Sequence, residues 1–135
     1  PPFLSNHKEV RNTIYFLDYV AITILHLGQT KVVPSQTMVE ELGNSNIALV
    51  PVGSGGGLNA SKAAEVISML EPNIVIPMHY ETPYSKLELD PLGKFLKEMG
   101  LTELETMESY KIPPTGNFGE EGTQVIALDP KLSPL

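Results

Sequence analysis

The chain has 135 residues, 41% of them hydrophobic, which suffices for one packed core and predicts a single domain over residues 1–135. Nine basic residues against 16 acidic ones leave a formal net charge of −7, which argues against nucleic acid or an anionic membrane as a partner. The absence of cysteine excludes disulfides, thiolate metal sites and cysteine nucleophiles, and it fits a cytoplasmic location.

The apolar stretches and the first residues bear on where the protein resides. The longest apolar runs, Ile47 to Val52 and Ile74 to Met78, have the length of strands and are too short to cross a bilayer. The chain opens with Pro1-Pro2-Phe3 and shows neither an initiator methionine nor a signal peptide. We therefore expect the chain to derive from a longer polypeptide.

The first patterned segment contains two runs of β-branched and aromatic residues, Thr13 to Leu17 and Ala21 to Leu25. The polar pair Asp18-Tyr19 separates them, so the pattern predicts a β-hairpin.

A short helix is predicted next, at Gln36 to Leu42. Ser35 is suited to cap its first turn, and Gly43 is suited to end it in a left-handed conformation. A helix this short needs docking against the rest of the fold to be stable.

The clearest pattern is a strand, a glycine-rich turn, a helix and a second strand. The apolar strands are Ile47 to Val52 and Ile74 to Pro77, and the helix between them runs from Ala60 to Leu70. Asn59 is its predicted N-cap, and Pro72 ends it. The buried stripe of this helix is predicted to consist of Ala63, Val66, Ile67 and Leu70. This order predicts a βαβ unit with two parallel, buried strands.

The last third of the chain predicts one more helix and one more strand. The helix runs from Pro91 to Met99 with Asp90 as its cap, and the strand runs from Thr123 to Leu128. Leu101 to Tyr110 is ambiguous. The predicted fold class is therefore α/β, with a mixed sheet and helices on one of its faces.

Histidines are the first candidates for chemistry. Of His7, His26 and His79, the last two directly follow predicted strands, where parallel sheets gather their ligands. For His79 a functional role and a hydrogen-bonded histidine at a strand end are equally well supported by position, and for His26 the structural role is favoured.

The glycine run at residues 53–57 lies between a strand and a helix, where a phosphate cradle would be found. It matches neither dinucleotide nor P-loop motif, and Lys62 lies one turn too late to be the P-loop lysine. Ser54 lacks the G-x-S-x-G context of a serine nucleophile. We interpret the run as a flexible or closely packed turn.

Five segments, taken in order, resemble the latter half of the lactonase-like metal-dependent hydrolases of the metallo-β-lactamase superfamily. The resemblance extends from about Asn12 to Leu128. The segments are Asn12-Thr13-Ile14-Tyr15, His26-Leu27-Gly28-Gln29, Leu49-Val50-Pro51-Val52-Gly53, Ala63-Ala64-Glu65 and Ile74-Val75-Ile76-Pro77-Met78-His79-Tyr80. The Ile-Pro-Met-His-Tyr element is the most specific of them.

This resemblance implies the C-terminal half of an αββα sandwich that binds one or two metal ions, zinc or manganese. Such a fold hydrolyses small lactone, ester or phosphoester substrates with a metal-activated hydroxide. His79 matches the last metal-binding histidine, and Gln29 stands where the family has a bridging aspartate. His26, Tyr80 and Thr82 are the implied candidates on the substrate side.

Two departures from the family pattern argue against activity in this chain alone. The neutral amide of Gln29 is a poorer partner for two cations than a carboxylate is. The family's H-x-H-x-D-H cluster belongs to the N-terminal half and is absent from these residues. Because a catalytic zinc needs about three protein ligands, we expect weak metal binding or none, and no catalytic residue is assigned. The alternative is a non-catalytic binding or assembly module that kept the fold and lost the metal site.

The two central strands are apolar throughout, whereas the predicted helices cover only one face of the sheet. We therefore expect the other face to be covered by a second copy of the chain or by the missing N-terminal half, so that the chain is not a monomer.

Overall fold

The computed structural model describes residues 2–3, 12–19, 22–43, 45–83, 86, 88–102, 104–111 and 122–129. The strands within these ranges are β1 (Pro2–Phe3), β2 (Asn12–Thr13), β3 (Tyr15–Tyr19), β4 (Ile22–His26), β5 (Ile47–Pro51), β6 (Ile74–Met78), β7 (Glu105–Met107) and β8 (Gln124–Leu128). The helices are α1 (Gln36–Leu42), α2 (Ala60–Leu70) and α3 (Leu92–Glu98). His7 lies outside the described residues.

Six strands form one mixed sheet in the order β3-β4-β5-β6-β8-β7. Strands β4, β5, β6 and β8 and the edge strand β7 run parallel to one another. At the opposite edge, β3 pairs antiparallel with β4. Strands β1 and β2 pair with each other separately. The predicted mixed sheet and its βαβ unit are confirmed.

The predicted hairpin is confirmed, although its first strand extends further than predicted. Asp18 and Tyr19 belong to β3, where they pair with Thr23 and Ile22. The prediction that this pair separates the two strands is therefore wrong. Strand pairing uses backbone groups, so a polar residue does not end a strand at the edge of a sheet.

Helices α1 and α2 begin at the predicted caps. The Ser35 hydroxyl accepts a hydrogen bond from the Met38 amide at 3.2 Å, and the Asn59 side chain accepts one from the Lys62 amide at 2.9 Å. Gly43 has a φ of 68° after α1, although its ψ of −160° lies outside the left-handed helical region. Each cap satisfies an amide that the first helical turn leaves without a partner.

The predicted cap of the third helix is wrong. Pro91 occupies the N-cap position of α3, with no side-chain capping bond. The Asp90 carboxylate instead accepts a hydrogen bond from the Ser54 hydroxyl at 2.8 Å. This tertiary contact takes the carboxylate away from the helix amides that it would otherwise cap.

The main core lies between the sheet and the three helices. Helix α2 covers the sheet, with α1 and α3 packed against it. The predicted stripe of α2 is buried together with Phe95 of α3 and Val39 of α1. With 11 residues, α2 is the longest described helix, and none of the three has the length and apolar character needed to cross a membrane.

Strand β7 lies within the segment that the sequence left ambiguous. It pairs in parallel with β8, where Glu105 lies opposite Ile126 and Met107 opposite Leu128. Only three residues long and mostly exposed, it shows no apolar alternation that a sequence pattern could detect.

The opposite face of the sheet carries a second apolar cluster, which we call the apolar sheet face. Ile47, Ile74 and Ile126 are buried at its centre. Half-buried side chains surround them, namely Ile22, Ile24, Leu49, Ile76, Met107, Tyr110 and Leu128. Among the described residues, no helical side chain belongs to this cluster, which agrees with the prediction of helices on one face only.

Candidate metal-binding site

The parallel strands bring the two candidate histidines to the same edge of the sheet. His26 is the last residue of β4, and His79 directly follows β6. His26 lies opposite Leu49 of β5, which in turn lies opposite Ile76 of β6. Because these strands run in the same direction, both histidines lie at their carboxyl ends, with β5 between them.

His26 shapes the turn after β4. Its Nδ1 atom accepts a hydrogen bond from the Gly28 amide at 3.1 Å, and Gly28 has a φ of 64°. The prediction placed His26 after the strand, whereas the structure places it within the strand, half-buried. The contact supports the structural role of His26, and its substrate-side role stays a prediction.

His79 has an unusual backbone. Its φ is 56°, a region that side chains other than glycine seldom adopt. The Nε2 atom lies 3.1 Å from the carbonyl oxygen of Gly55. Backbone conformations of this kind persist where the surroundings enforce them, and they concentrate at functional sites.

The glycine loop, residues 53–57, packs against the backbone of His79 and Tyr80. A side chain on Gly53 would collide with the carbonyl oxygen of His79 and would lie 2.8 Å from the Cα atom of Tyr80. Ser54 also has a positive φ, 62°. The glycine run is therefore a closely packed turn, and its function is to let two backbones approach each other.

Asp90 connects the glycine loop to the chain that follows His79, a role that no sequence pattern predicted. Its amide donates to the Gly53 carbonyl at 2.9 Å, and its own carbonyl accepts from the Glu81 amide at 3.0 Å. The hydrogen bond from Ser54, and secondarily the contact with Lys94, lowers the pKa of the Asp90 carboxyl. The carboxylate is thus ionised at neutral pH.

Tyr80 and Thr82, both half-buried, follow His79 at this edge. Tyr80 packs against the helix-side core. Burial, and secondarily the negative charge of Asp129, raises the pKa of the Tyr80 phenol. The phenol is therefore protonated at neutral pH and able to donate a hydrogen bond. Roles for Tyr80 and Thr82 toward a substrate stay predictions.

Gln29 lies exposed in the turn after β4, at the same edge of the sheet as His79. Strand β5 separates the strands that carry the two residues. A close approach of Gln29 to His79, as the family pattern implies, stays a prediction.

His79 suits a zinc ion as a donor, since an imidazole nitrogen is a common zinc ligand. The described residues do not include a group of three His, Cys, Asp or Glu side chains that could hold a metal ion. A catalytic zinc takes about three protein ligands. The role of His79 as a metal ligand therefore stays a prediction.

Comparison with known proteins decides the family. Residues 4–79 match the family model described as the β-lactamase superfamily domain. The chain belongs to this superfamily. Its members named metal-dependent hydrolases include a UPF0173 protein of Methanopyrus kandleri, 33% identical over 95 residues that cover 66% of this chain and 41% of the relative. A UPF0173 protein of Pyrococcus furiosus is 34% identical over 114 residues, which cover 82% of this chain and 53% of the relative.

A solved structure supports the same conclusion for the fold of this superfamily member. The crystal structure is that of a Thermotoga maritima protein assigned as a candidate Zn-dependent hydrolase of the metallo-β-lactamase superfamily. It is 29% identical, and it matches with a TM-score of 0.72 over 95% of this chain and 64% of that one. The chain spans about half or less of the length of these two curated relatives. The superfamily and the fold class expected from the sequence are confirmed.

Proposed function

We propose that the chain supplies one side of the metal centre of a hydrolase, with His79 as a metal ligand. The observation that carries the proposal is the placement of His79. It follows a buried parallel strand at the carboxyl edge of the sheet, in a left-handed conformation, and the glycine loop packs directly against its backbone. Relatives of this chain that are named metal-dependent hydrolases support the proposed reaction class.

Zinc or manganese is the proposed ion, and lactones, esters or phosphoesters of small molecules are the proposed substrates. When bound, such a cation supplies an activated water at neutral pH and stabilises negative charge on a carbonyl or phosphoryl oxygen. The protonated phenol of Tyr80 is a hydrogen-bond donor at the same edge, and we assign it to orienting the substrate. Gln29 contributes a neutral amide where a carboxylate would bind a second cation more tightly.

The remaining ligands, in this proposal, come from a polypeptide segment that covers the apolar sheet face. The relatives contain additional sequence beyond the part that this chain matches. The apolar sheet face is a large apolar surface of the kind that other protein surfaces cover. A segment packed on this face reaches the carboxyl edge on which His79 lies.

A non-catalytic binding or assembly module is the second candidate. Gln29 favours it, because a neutral side chain at the position of the bridging aspartate weakens a dinuclear site. The two candidate functions differ in whether His79 binds a metal ion, which a metal titration measures directly.

Zinc binding to the purified chain tests the proposal. We expect weak binding in isothermal titration calorimetry, no binding after His79→Ala, and tighter binding after Gln29→Asp, which adds a carboxylate ligand. His26→Ala is the control, since His26 is assigned to the turn after β4. Zinc binding that survives His79→Ala unchanged would contradict the proposal, because it would require another site. No zinc binding by the unmodified chain would favour the non-catalytic module.

A further inference from the structure

We propose that the tip of the glycine loop, residues 54–57, is a lid over the imidazole of His79. The hydrogen bond from the Ser54 hydroxyl to the Asp90 carboxylate holds this lid closed. A lid of this kind controls when a small molecule reaches the ring. The inference goes beyond the proposed function, because it does not depend on whether His79 binds a metal ion.

The tip of the loop lies along the His79 ring. The carbonyl oxygen of Gly55 is 3.1 Å from the Nε2 atom of the imidazole. A methyl group built on Gly57 would lie 3.6 Å from the Cδ2 atom, so this glycine is also a close neighbour of the ring. Gly55 packs so closely against the Leu89 side chain that a methyl group built on it would collide there. The tip therefore packs against both the imidazole and Leu89.

The tip is a self-bonded turn between two buried ends. The Ser54 amide donates to the Leu58 carbonyl, and the Gly57 amide donates to the Ser54 carbonyl, each at 3.0 Å. Gly53 and Leu58, which flank the tip, are buried, whereas the two residues at its centre are exposed glycines. The internal bonds preserve the shape of the turn, and glycine permits backbone rotation within the loop. We therefore expect the tip to move as a unit.

The Ser54 hydroxyl fastens the tip to a neighbouring segment. It donates to the Asp90 carboxylate at 2.8 Å, and because this carboxylate is ionised at neutral pH, the hydrogen bond is charge-assisted. Asp90 is itself held in place, since its carbonyl accepts a hydrogen bond from the Glu81 amide at 3.0 Å. Ser54 has a φ of 62°, a conformation that glycine would adopt without strain. The contact made by its hydroxyl therefore accounts for a serine at this position.

A second partner of the Asp90 carboxylate gives a matched control for the lid. The Nζ atom of Lys94 lies 3.3 Å from this carboxylate, but the lysine belongs to α3 and its side chain is 62% exposed. Ser54→Ala and Lys94→Ala therefore each remove one partner from the same carboxylate. Only the serine variant loses a contact of the lid.

Modification with diethylpyrocarbonate, followed by mass spectrometry, measures how readily a small reagent reaches each imidazole. We expect His79 to react about threefold faster, or more, in Ser54→Ala than in the wild type, and at the wild-type rate in Lys94→Ala. Asp90→Ala removes the same hydrogen bond from the other side and should give the same acceleration, which keeps the test available if the serine variant does not fold. His26 of β4 is the internal reference, because a general loss of structure would accelerate its modification too.

The double variant Ser54→Ala/Asp90→Ala shows whether the two residues act through one bond. If they do, it accelerates the modification of His79 no more than either single variant does. ¹⁵N relaxation of the two glycines at the centre of the tip should show lower order parameters in Ser54→Ala and unchanged ones in Lys94→Ala. Equal rates of His79 modification in the wild type and both single variants, or an equal acceleration in Lys94→Ala, would overturn the lid.

Discussion

Gly53 lies so close to the backbone of His79 and Tyr80 that a side chain has no room there. We expect Gly53→Ala to lower the free energy of unfolding by about 1–3 kcal/mol, because the clash is with backbone atoms that cannot rotate away. Gly93→Ala is the control, since its added methyl meets nothing within 4 Å. That change is expected to be neutral or stabilising by up to about 1 kcal/mol. Urea unfolding of the two variants measures both effects, and equal stabilities would refute the close approach at Gly53.

Tyr80 gives a second prediction at the residue scale. Its pKa is raised, so the folded state favours the neutral phenol, and this contribution to stability is complete below the ordinary tyrosine pKa of about 10. The contribution is lost as the pH rises through the pKa of the folded state. Asp129→Asn should lower the Tyr80 pKa only part of the way back, because burial is the larger cause.

Tyrosine-ring ¹³C NMR from pH 8 to 12 measures the titration of each phenol separately. Tyr110 is an internal control, since its own raised pKa depends on burial and on Glu105. Its pKa should not change in Asp129→Asn. An unchanged Tyr80 pKa in that variant would show that Asp129 does not act on the phenol.

At the scale of secondary-structure elements, local sequence signals predicted a helix or strand correctly where they agreed with its tertiary packing. The bounds of α2 were predicted residue for residue, because its N-cap Asn59 and its apolar stripe indicate the same helix. Strand β7 was missed, because its order comes from pairing with β8 rather than from its own three residues. Asp18 and Tyr19 were predicted to separate the strands of the first hairpin, but a polar pair can lie within an edge strand.

In the candidate site, too, only the features with a local sequence signal could be predicted. His79 could be found from the sequence, because it directly follows a recognisable apolar strand. The contact of Ser54 with Asp90 joins residues 36 positions apart, and no local sequence pattern predicts it. Asp90 even carried a competing local signal, that of a helix cap before Pro91. Sequence periodicity thus locates the strand ends, while the contacts that orient a side chain there depend on the tertiary fold.

Asn46 ties three parallel strands together at the edge of the sheet opposite His79. Its Oδ1 atom accepts from the Thr23 amide at 2.9 Å, and its Nδ2 atom donates to the Asn73 side chain at 3.0 Å. Asn46→Ala removes both, and we expect a loss of about 1–3 kcal/mol in the free energy of unfolding. Asn46→Asp keeps the acceptor for Thr23 and loses only the donor, so it should cost less. Thermal unfolding ranks the variants, and an alanine variant as stable as the wild type would contradict the role of Asn46.

At the scale of the whole molecule, the two faces of the sheet differ in how completely their apolar side chains are covered. Three helices cover one face, and their core includes fully buried residues such as Phe95 and Val66. Several branched side chains of the apolar sheet face are only half-buried, including Ile24 and Ile76. Transferring such side chains out of water contributes roughly 25 cal/mol per Å² of apolar area. An association that covers this face is therefore favoured.

We accordingly expect the purified chain to self-associate through the apolar sheet face at micromolar concentration, when no other polypeptide covers it. Ile76→Lys places a charge on this face, and we expect it to shift the population toward the monomer while the core on the helix side keeps the chain folded. Val32→Lys is the control, since Val32 is already 57% exposed in the loop after β4. Multi-angle light scattering measures the mass of each species. A wild-type chain that is monomeric at micromolar concentration would show that the apolar sheet face needs no partner.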